Sequence, residues 1–171
     1  MRVDDIDSIA DYWLNSDPVF LKAMGVDLTK LPVREDFQKM LQIQIQLPVE
    51  QKRSYGIIWE SDGVAVGHCN TNPTTYGEEA FLHLHLWDSP LRKKGHGSAF
   101  IAMTIPVFFE KLKLKKIISE PYALNAAPNS TLSKAGFTFI KEYITIPGSL
   151  NFEQPVKRWE LTYEEFIKKN A

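Results

Sequence analysis

Apolar positions along the chain switch between helical and alternating spacing, and the switches mark out its elements. Ile6, Ile9, Ala10 and Trp13 share one helical face, and Asp4 and Asp5 precede them as candidate caps. Asp17-Pro18 reads as the cap and first residue of a short second helix, which Gly25 stops. Pro32 opens a third helix, striped by Phe37, Met40, Leu41 and Ile45 and ended by Pro48. Gln42 to Leu47 alternates as a strand would, but helix is the preferred reading. Ser54–Glu60 and Val64–Asn70 form a hairpin around Ser61-Asp62-Gly63, and a loop from Thr71 to Glu78 follows. The strand Phe81–Trp87 places His83 and His85 on one face and Leu82, Leu84 and Leu86 on the core face, and Ser89-Pro90 ends it.

A helix beginning near Gly97 carries Phe100, Ile101, Ile105, Phe108 and Leu112. Pro106 inside it predicts a kink or a shortened helix, because proline removes a hydrogen bond. A short buried strand spans Lys115–Glu120, and Asn125 caps a helix that runs to Ala135 and stops at Gly136. Strands at Phe137–Tyr143 and Val156–Thr162 and a helix at Tyr163–Lys169 complete the chain, with Pro147-Gly148 in the loop between the strands. No repeat or linker interrupts this order, so residues 1–171 read as one domain.

The stretch Arg92-Lys93-Lys94-Gly95-His96-Gly97-Ser98 joins a strand to a helix. Two glycines one residue apart let backbone approach a ligand, and the free amides of the helix's first turn favour an anion. Three cations add positive charge there. This is a pyrophosphate cradle by its physics. It is neither a P-loop nor the dinucleotide fingerprint, because no Gly-Lys-Ser/Thr run occurs and position 100 is Phe.

Composition is that of an ordinary globule, 44% apolar and 24% charged. No apolar run is long enough to span a membrane and no signal peptide opens the chain, and with the lone Cys69 this points to the cytoplasm. The net charge of −1 conceals a split. Residues 1–50 hold nine acids and five bases, and the rest hold twelve acids and fifteen bases. The acidic part reads first as a solvated surface, with a partner of positive charge as the alternative. The balance excludes nucleic acid as a partner, and nothing suggests a membrane.

The pattern Arg92-x-x-Gly95-x-Gly97 resembles the coenzyme A pyrophosphate loop of the GNAT superfamily of acyl-CoA N-acyltransferases. Asn125 with Lys134-Ala135-Gly136-Phe137 is similar to the family's Asn…Lys-x-Gly-Phe block and lies in the expected order. The resemblance implies an α+β fold: one GNAT-like domain with a central, mixed, mostly antiparallel sheet flanked by helices. The usual first strand is short or missing, since only Met1–Val3 precede the first helix. Glu120-Pro121 is similar to the acidic-Pro step of the aminoglycoside 6′- and siderophore-type branches, and it falls where ribosomal-protein-type acetylases carry a catalytic Glu. Leu132 stands where many members place a general-acid Tyr, and Phe81 stands where the histone-acetylating branch has its base Glu.

The resemblance implies acetyl-CoA as donor, a primary amine as acceptor, direct transfer through a tetrahedral intermediate, and no metal. Arg92 to Ser98 would hold the pyrophosphate, the strand edge at His85, Leu86 and Trp87 would pair with the pantetheine arm, and Asn125 and Leu132 would line it. Glu120 is the first candidate base and His83 the second. The pattern His83-x-His85 invites a zinc reading that needs a third ligand, for which His68 is the only plausible supplement, and no metal is the preferred reading. Cys69 reads as a buried, inert thiol. Tyr122 and Tyr143 are candidates to reprotonate the thiolate. The acceptor reads as a small amine or antibiotic-like polyamine. A protein N-terminus or lysine and a non-catalytic acyl-CoA sensor are the alternatives, and a homodimer is left open. The loops Asn15–Pro32 and Ile146–Gln154 would set the width of the acceptor groove.

Overall fold

The computed structural model describes residues 1–87, 92 and 95–170. Its helices are α1 (Ile6–Asn15), α2 (Pro18–Ala23), α3 (Arg34–Gln46), α4 (His96–Leu112), α5 (Ala126–Lys134) and α6 (Tyr163–Asn170). Its strands are β1 (Tyr55–Ser61), β2 (Val64–Thr75), β3 (Glu79–Leu86), β4 (Lys116–Ser119), β5 (Thr138–Thr145) and β6 (Gln154–Thr162). They form one sheet in the order β1-β2-β3-β4-β6-β5, antiparallel except for the parallel pair β3–β4. Among the described residues no strand precedes β1. Met1 instead lies beside the outer strand, its ammonium donating to Gly56 O at 3.1 Å.

Helices cover the sheet on both faces. Leu82, Leu84 and Leu86 turn toward α4 and join Phe100, Ile101, Ile105, Phe108 and Leu112 in the main core. Each such side chain, fully buried, contributes about 1.5–3 kcal/mol. Trp59 stacks on Phe100 and donates to Thr104 Oγ1 at 2.9 Å, so its polar edge is satisfied inside the core. On the other face, Ile9, Ala10 and Phe37 of α1 and α3 pack with Trp13, Ile58 and Trp87.

Most expected elements are present, with informative differences. Helix α4 runs through Pro106 to Leu112 without shortening. Pro106 and Ala102 are both exposed, so the carbonyl the proline leaves unbonded faces water. Strand β2 extends to Thr75 across a register shift between Thr71 and Thr74, where a loop was expected. Asp17 caps α2 through Val19 N at 2.8 Å, as expected. Asp5 occupies the cap position of α1 but accepts from Arg2 N at 2.5 Å rather than from the helix. Asn125 likewise starts α5 without a side-chain cap bond. The strand stop expected at Ser89-Pro90 lies outside the described residues.

Candidate active site

The site begins where the sheet divides. Pairing of β3 with β4 covers Glu79–Phe81 against Lys116–Ile118, after which β3 continues with β2 alone as its partner. Ser119 Oγ closes the fork by donating to Leu82 O at 2.9 Å. Since Leu82 O points into the fork, strand periodicity places the N–H and C=O of Leu84 there too. The carbonyls of Leu86 and Trp87 accept from Arg92 Nε at 3.0 Å and Nη2 at 3.1 Å. These carbonyls belong to the edge expected to pair with the pantetheine arm at His85, Leu86 and Trp87. Arg92 occupies the outer end of that edge, and the open backbone lies nearer the fork, at Leu84.

Arg92 itself also serves the fold. Its guanidinium ties down the end of β3 and lies 3.9 Å from the centroid of the Phe20 ring, so part of its charge is committed to the fold. Lys93 and Lys94 lie outside the described residues. Gly95 takes φ of 84°, left-handed backbone that favours glycine, and opens α4. Ser98 N and Ala99 N bond to Gly95 O, whereas the amides of His96 and Gly97 find no acceptor among the described residues. Those two amides and the helix dipole can receive an anion. Gly97 faces α5, where an added Cβ would stand 3.7 Å from Thr131 Oγ1.

On α5, Asn129 is the fully bonded asparagine. It donates to Asn125 O and Tyr122 O and accepts from Trp159 Nε1 at 2.8 Å. The half-buried Asn125 side chain is spent on none of these bonds. Leu132, expected to line the pantetheine arm, is 0% exposed and packs in the main core.

At the fork, Glu120 follows the end of β4. Its Oε1 accepts from Arg158 Nη1 at 2.8 Å and from Tyr143 OH at 2.5 Å. Its Oε2 has no hydrogen-bond partner among the described residues, and it is not sealed from solvent. Arg158 goes on to Glu160, and Lys116 links Glu160 to Glu79. Sequence reasoning missed Arg158 entirely. Tyr143, not Tyr122, is the tyrosine joined to Glu120. Partial burial and the Glu120 bond push its phenol above the ordinary value.

His83 donates Nε2–H to Asn72 O at 2.7 Å, which leaves the lone pair on Nδ1 unpartnered. Burial lowers its pKa, against smaller opposing effects of the Asn72 carbonyl and the Glu120 charge, so the ring is neutral at neutral pH. His85 belongs to an aromatic nest with Tyr12, Trp13, His68 and Trp87. Trp87 Nε1 donates to His68 Nδ1 at 2.7 Å, and burial pushes His68 down to about 3. Burial and His68 also hold His85 well below its usual range. The ring centroids of His68 and His85 stack at 4.5 Å, and no cluster of three or more metal-binding side chains occurs among the described residues. Cys69 is fully buried and its thiol is pushed up by burial.

Several aspartates of the acidic first part of the chain are paired or capping. Asp7 and Asp11 bind Arg34, Asp17 caps α2, and Asp27 caps the turn at Thr29. The two groove loops are stitched together: Asp27 N donates to Leu150 O, Val26 bridges Asn151, and the side chains of Asn151 and Gln154 both donate to Gly25 O.

Comparison with known proteins follows from this geometry. The family model described as an acetyltransferase (GNAT) domain matches residues 1–138. The aminoglycoside acetyltransferase AAC(6')-Ib with coenzyme A and kanamycin superposes with a TM-score of 0.75 at 15% identity, over 100% of this chain and 96% of that one. The spermidine N-acetyltransferase of Vibrio cholerae with CoA and spermine gives 0.77 at 14% identity, over 98% and 95%. These likenesses are of fold. No curated protein matches the sequence.

Proposed function

The chain belongs to the GNAT family of acetyl-CoA-dependent N-acyltransferases, and from that premise we propose that it acetylates a primary amine on a small molecule. The observation that carries this reading is the fork. It joins a β3 edge left unpaired with β4 beyond Phe81, two amides at the start of α4 with no acceptor among the described residues, and a carboxylate whose charge reaches an imidazole. The residues fit acetyl-CoA. His96 and Gly97 amides would take the pyrophosphate, the Leu84 backbone and Asn125 the pantetheine arm, and the thioester end would reach the fork. Acetyl-CoA supplies the activated acetyl group. The chain supplies orientation and a base.

Between the two candidate bases, the geometry favours His83. Its Nδ1 lone pair is free, and the ring is neutral before the reaction. Once His83 has taken the amine's proton, the nearby Glu120 carboxylate stabilises the imidazolium. Glu120 already accepts two bonds at Oε1. Tyr143 directs its proton at Glu120 and is therefore poorly placed to donate it to a thiolate.

The stitching of the two loops supports a small acceptor over a peptide, because it limits how far the loops expected to set the groove width can part. The neighbouring structures hold kanamycin and spermine, which agrees with a small amine. Residues 1–171 act as one acetyltransferase domain in this reading, in the cytoplasm, where Cys69 stays reduced. No helix among the described residues is long and apolar enough to cross a membrane. The test is thiol release from acetyl-CoA across a panel of primary amines and peptides, with the product identified by mass. Release with small amines alone is expected. Release with peptides alone would move the acceptor to protein N-termini, and binding without release would favour an acyl-CoA sensor.

A further inference from the structure

Glu120 is held in an unusual way for a residue meant to move protons. Its side chain is 7% exposed, yet it is anchored from two other strands, by Arg158 of β6 and Tyr143 of β5. Both anchors converge on Oε1, and Oε2 is left with no partner among the described residues. The two anchors reach it from neighbouring strands and fix the orientation of the carboxylate. A nearly buried carboxylate oxygen with no partner among the described residues, and not fully sealed from solvent, is a receptor for a cation.

We infer that Arg158 and Tyr143 are positioning residues that present Glu120 Oε2 to the acceptor, so that the amine enters as its ammonium ion and pairs with Glu120 before His83 takes a proton. This deepens the acetyl-transfer reading and rests on it. The charged and titratable groups around Glu120 are His83 of β3, Lys116 of β4, Arg158 and Glu160 of β6, and Tyr143 and Lys141 of β5, the last with Nζ 4.4 Å from the Tyr143 ring centroid. Arg158 is shared between Glu120 and Glu160, and Lys116 between Glu160 and Glu79. These two cations are thus shared among three carboxylates, Glu79, Glu120 and Glu160, while Lys141 lies over the Tyr143 ring, and Oε2 keeps its attraction for an incoming cation. The device selects for charge where the aromatic nest of α1 and β3 does not, and it explains how an amine is recruited although most nearby aspartates are occupied.

The test is the pH dependence of KM for the best amine found in the thiol-release panel. A simple primary amine has a pKa near that of lysine, about 10.4, so between about pH 7 and about pH 9 nearly all of it is ammonium. An enzyme that binds ammonium shows a flat KM across that range. One that binds the neutral amine shows KM falling about tenfold per pH unit, as the neutral fraction grows. Wild type should be flat. Glu120→Gln should raise KM about tenfold or more at pH 7 and acquire the falling slope, whereas Tyr143→Phe should raise KM a few-fold and keep the flat profile. A trimethylated analogue of the same amine should inhibit wild type and lose about tenfold in affinity for Glu120→Gln. Melting curves and coenzyme A titrations of both variants show whether each is folded. A wild-type KM that falls with pH, or an analogue that inhibits wild type and a folded Glu120→Gln alike, overturns the inference while acetyl transfer stands. Absence of thiol release with every amine overturns the acetyl-transfer reading and this inference together.

Discussion

Replacing Gly97 by aspartate separates charge from shape at the proposed phosphate site. Gly97 lies in the first turn of α4, half-buried, and among the described residues the nearest approach to a Cβ added there is Thr131 Oγ1 at 3.7 Å. Alanine therefore fits, and the helix gains up to about 1 kcal/mol from it. Aspartate fits too, and a carboxylate in the first turn favours the helix dipole. The fold should tolerate both. The ligand should not, because aspartate sets a negative charge beside the His96 and Gly97 amides. Two like charges 4 Å apart repel by about 4 kcal/mol at an effective dielectric of 20 and by about 1 kcal/mol in water. A half-buried position lies between these limits, so a loss of about 1.5–3 kcal/mol is expected, roughly ten- to a hundredfold in affinity. Calorimetric titration with coenzyme A should find Gly97→Ala within a few-fold of wild type and Gly97→Asp weaker by that factor. Raising the salt from 0.1 M to 1 M shortens the Debye length from about 10 Å to about 3 Å and should narrow the gap. Equal affinity in the alanine and aspartate variants would refute the placement of the phosphates.

Three further outcomes follow from the same geometry. His83→Ala should lower kcat by about 10²–10⁴-fold and abolish the acid limb of the pH–rate profile. In wild type that limb should lie below the ordinary histidine value, because the His83 pKa is lowered. Gly25→Ala should destabilise the protein by about 2–4 kcal/mol in denaturant unfolding, since φ is +87° and the new Cβ would stand 1.9 Å from the buried Gln154 Oε1. Stability should also fall as pH drops from about 6.5 toward 3. His68 is held near 3 when folded and returns to about 6.5 when unfolded, so the unfolded state binds the extra proton, at about 1.4 kcal/mol per pH unit. His68→Phe should flatten that part of the curve.

Local chemistry made the fold readable. Asp17-Pro18, Asp62-Gly63 and Gly136 each announce an element boundary through backbone preference, and the alternation of Leu82, Leu84 and Leu86 fixes which face of β3 meets α4. The glycine loop was legible for the same reason, since Gly95 carries the positive φ its position requires. What stayed hidden depends on distant pairing. Glu120, Tyr143 and Arg158 meet only because β4, β5 and β6 take one particular register, and no single strand's pattern encodes it. The pairing of Asp7 and Asp11 with Arg34 likewise needs α1 packed on α3. Proline at 106 misled because its effect depends on whether the unbonded carbonyl faces solvent, which a helical period alone does not tell. At the β3 edge, the outer carbonyls would have appeared free without Arg92, whose side chain folds back onto them.

The central claim is that the donor lies in the fork, its arm along β3 and its phosphates at the start of α4. Amide hydrogen exchange, read residue by residue with and without coenzyme A, tests this most directly. The account predicts slower exchange at Leu84, His96 and Gly97 on binding, and little change in the groove between α4 and α6 lined by Phe109, Leu114, Tyr163 and Ile167. Coenzyme A that binds while those three amides exchange as before, or that protects the α4–α6 groove instead, would contradict it.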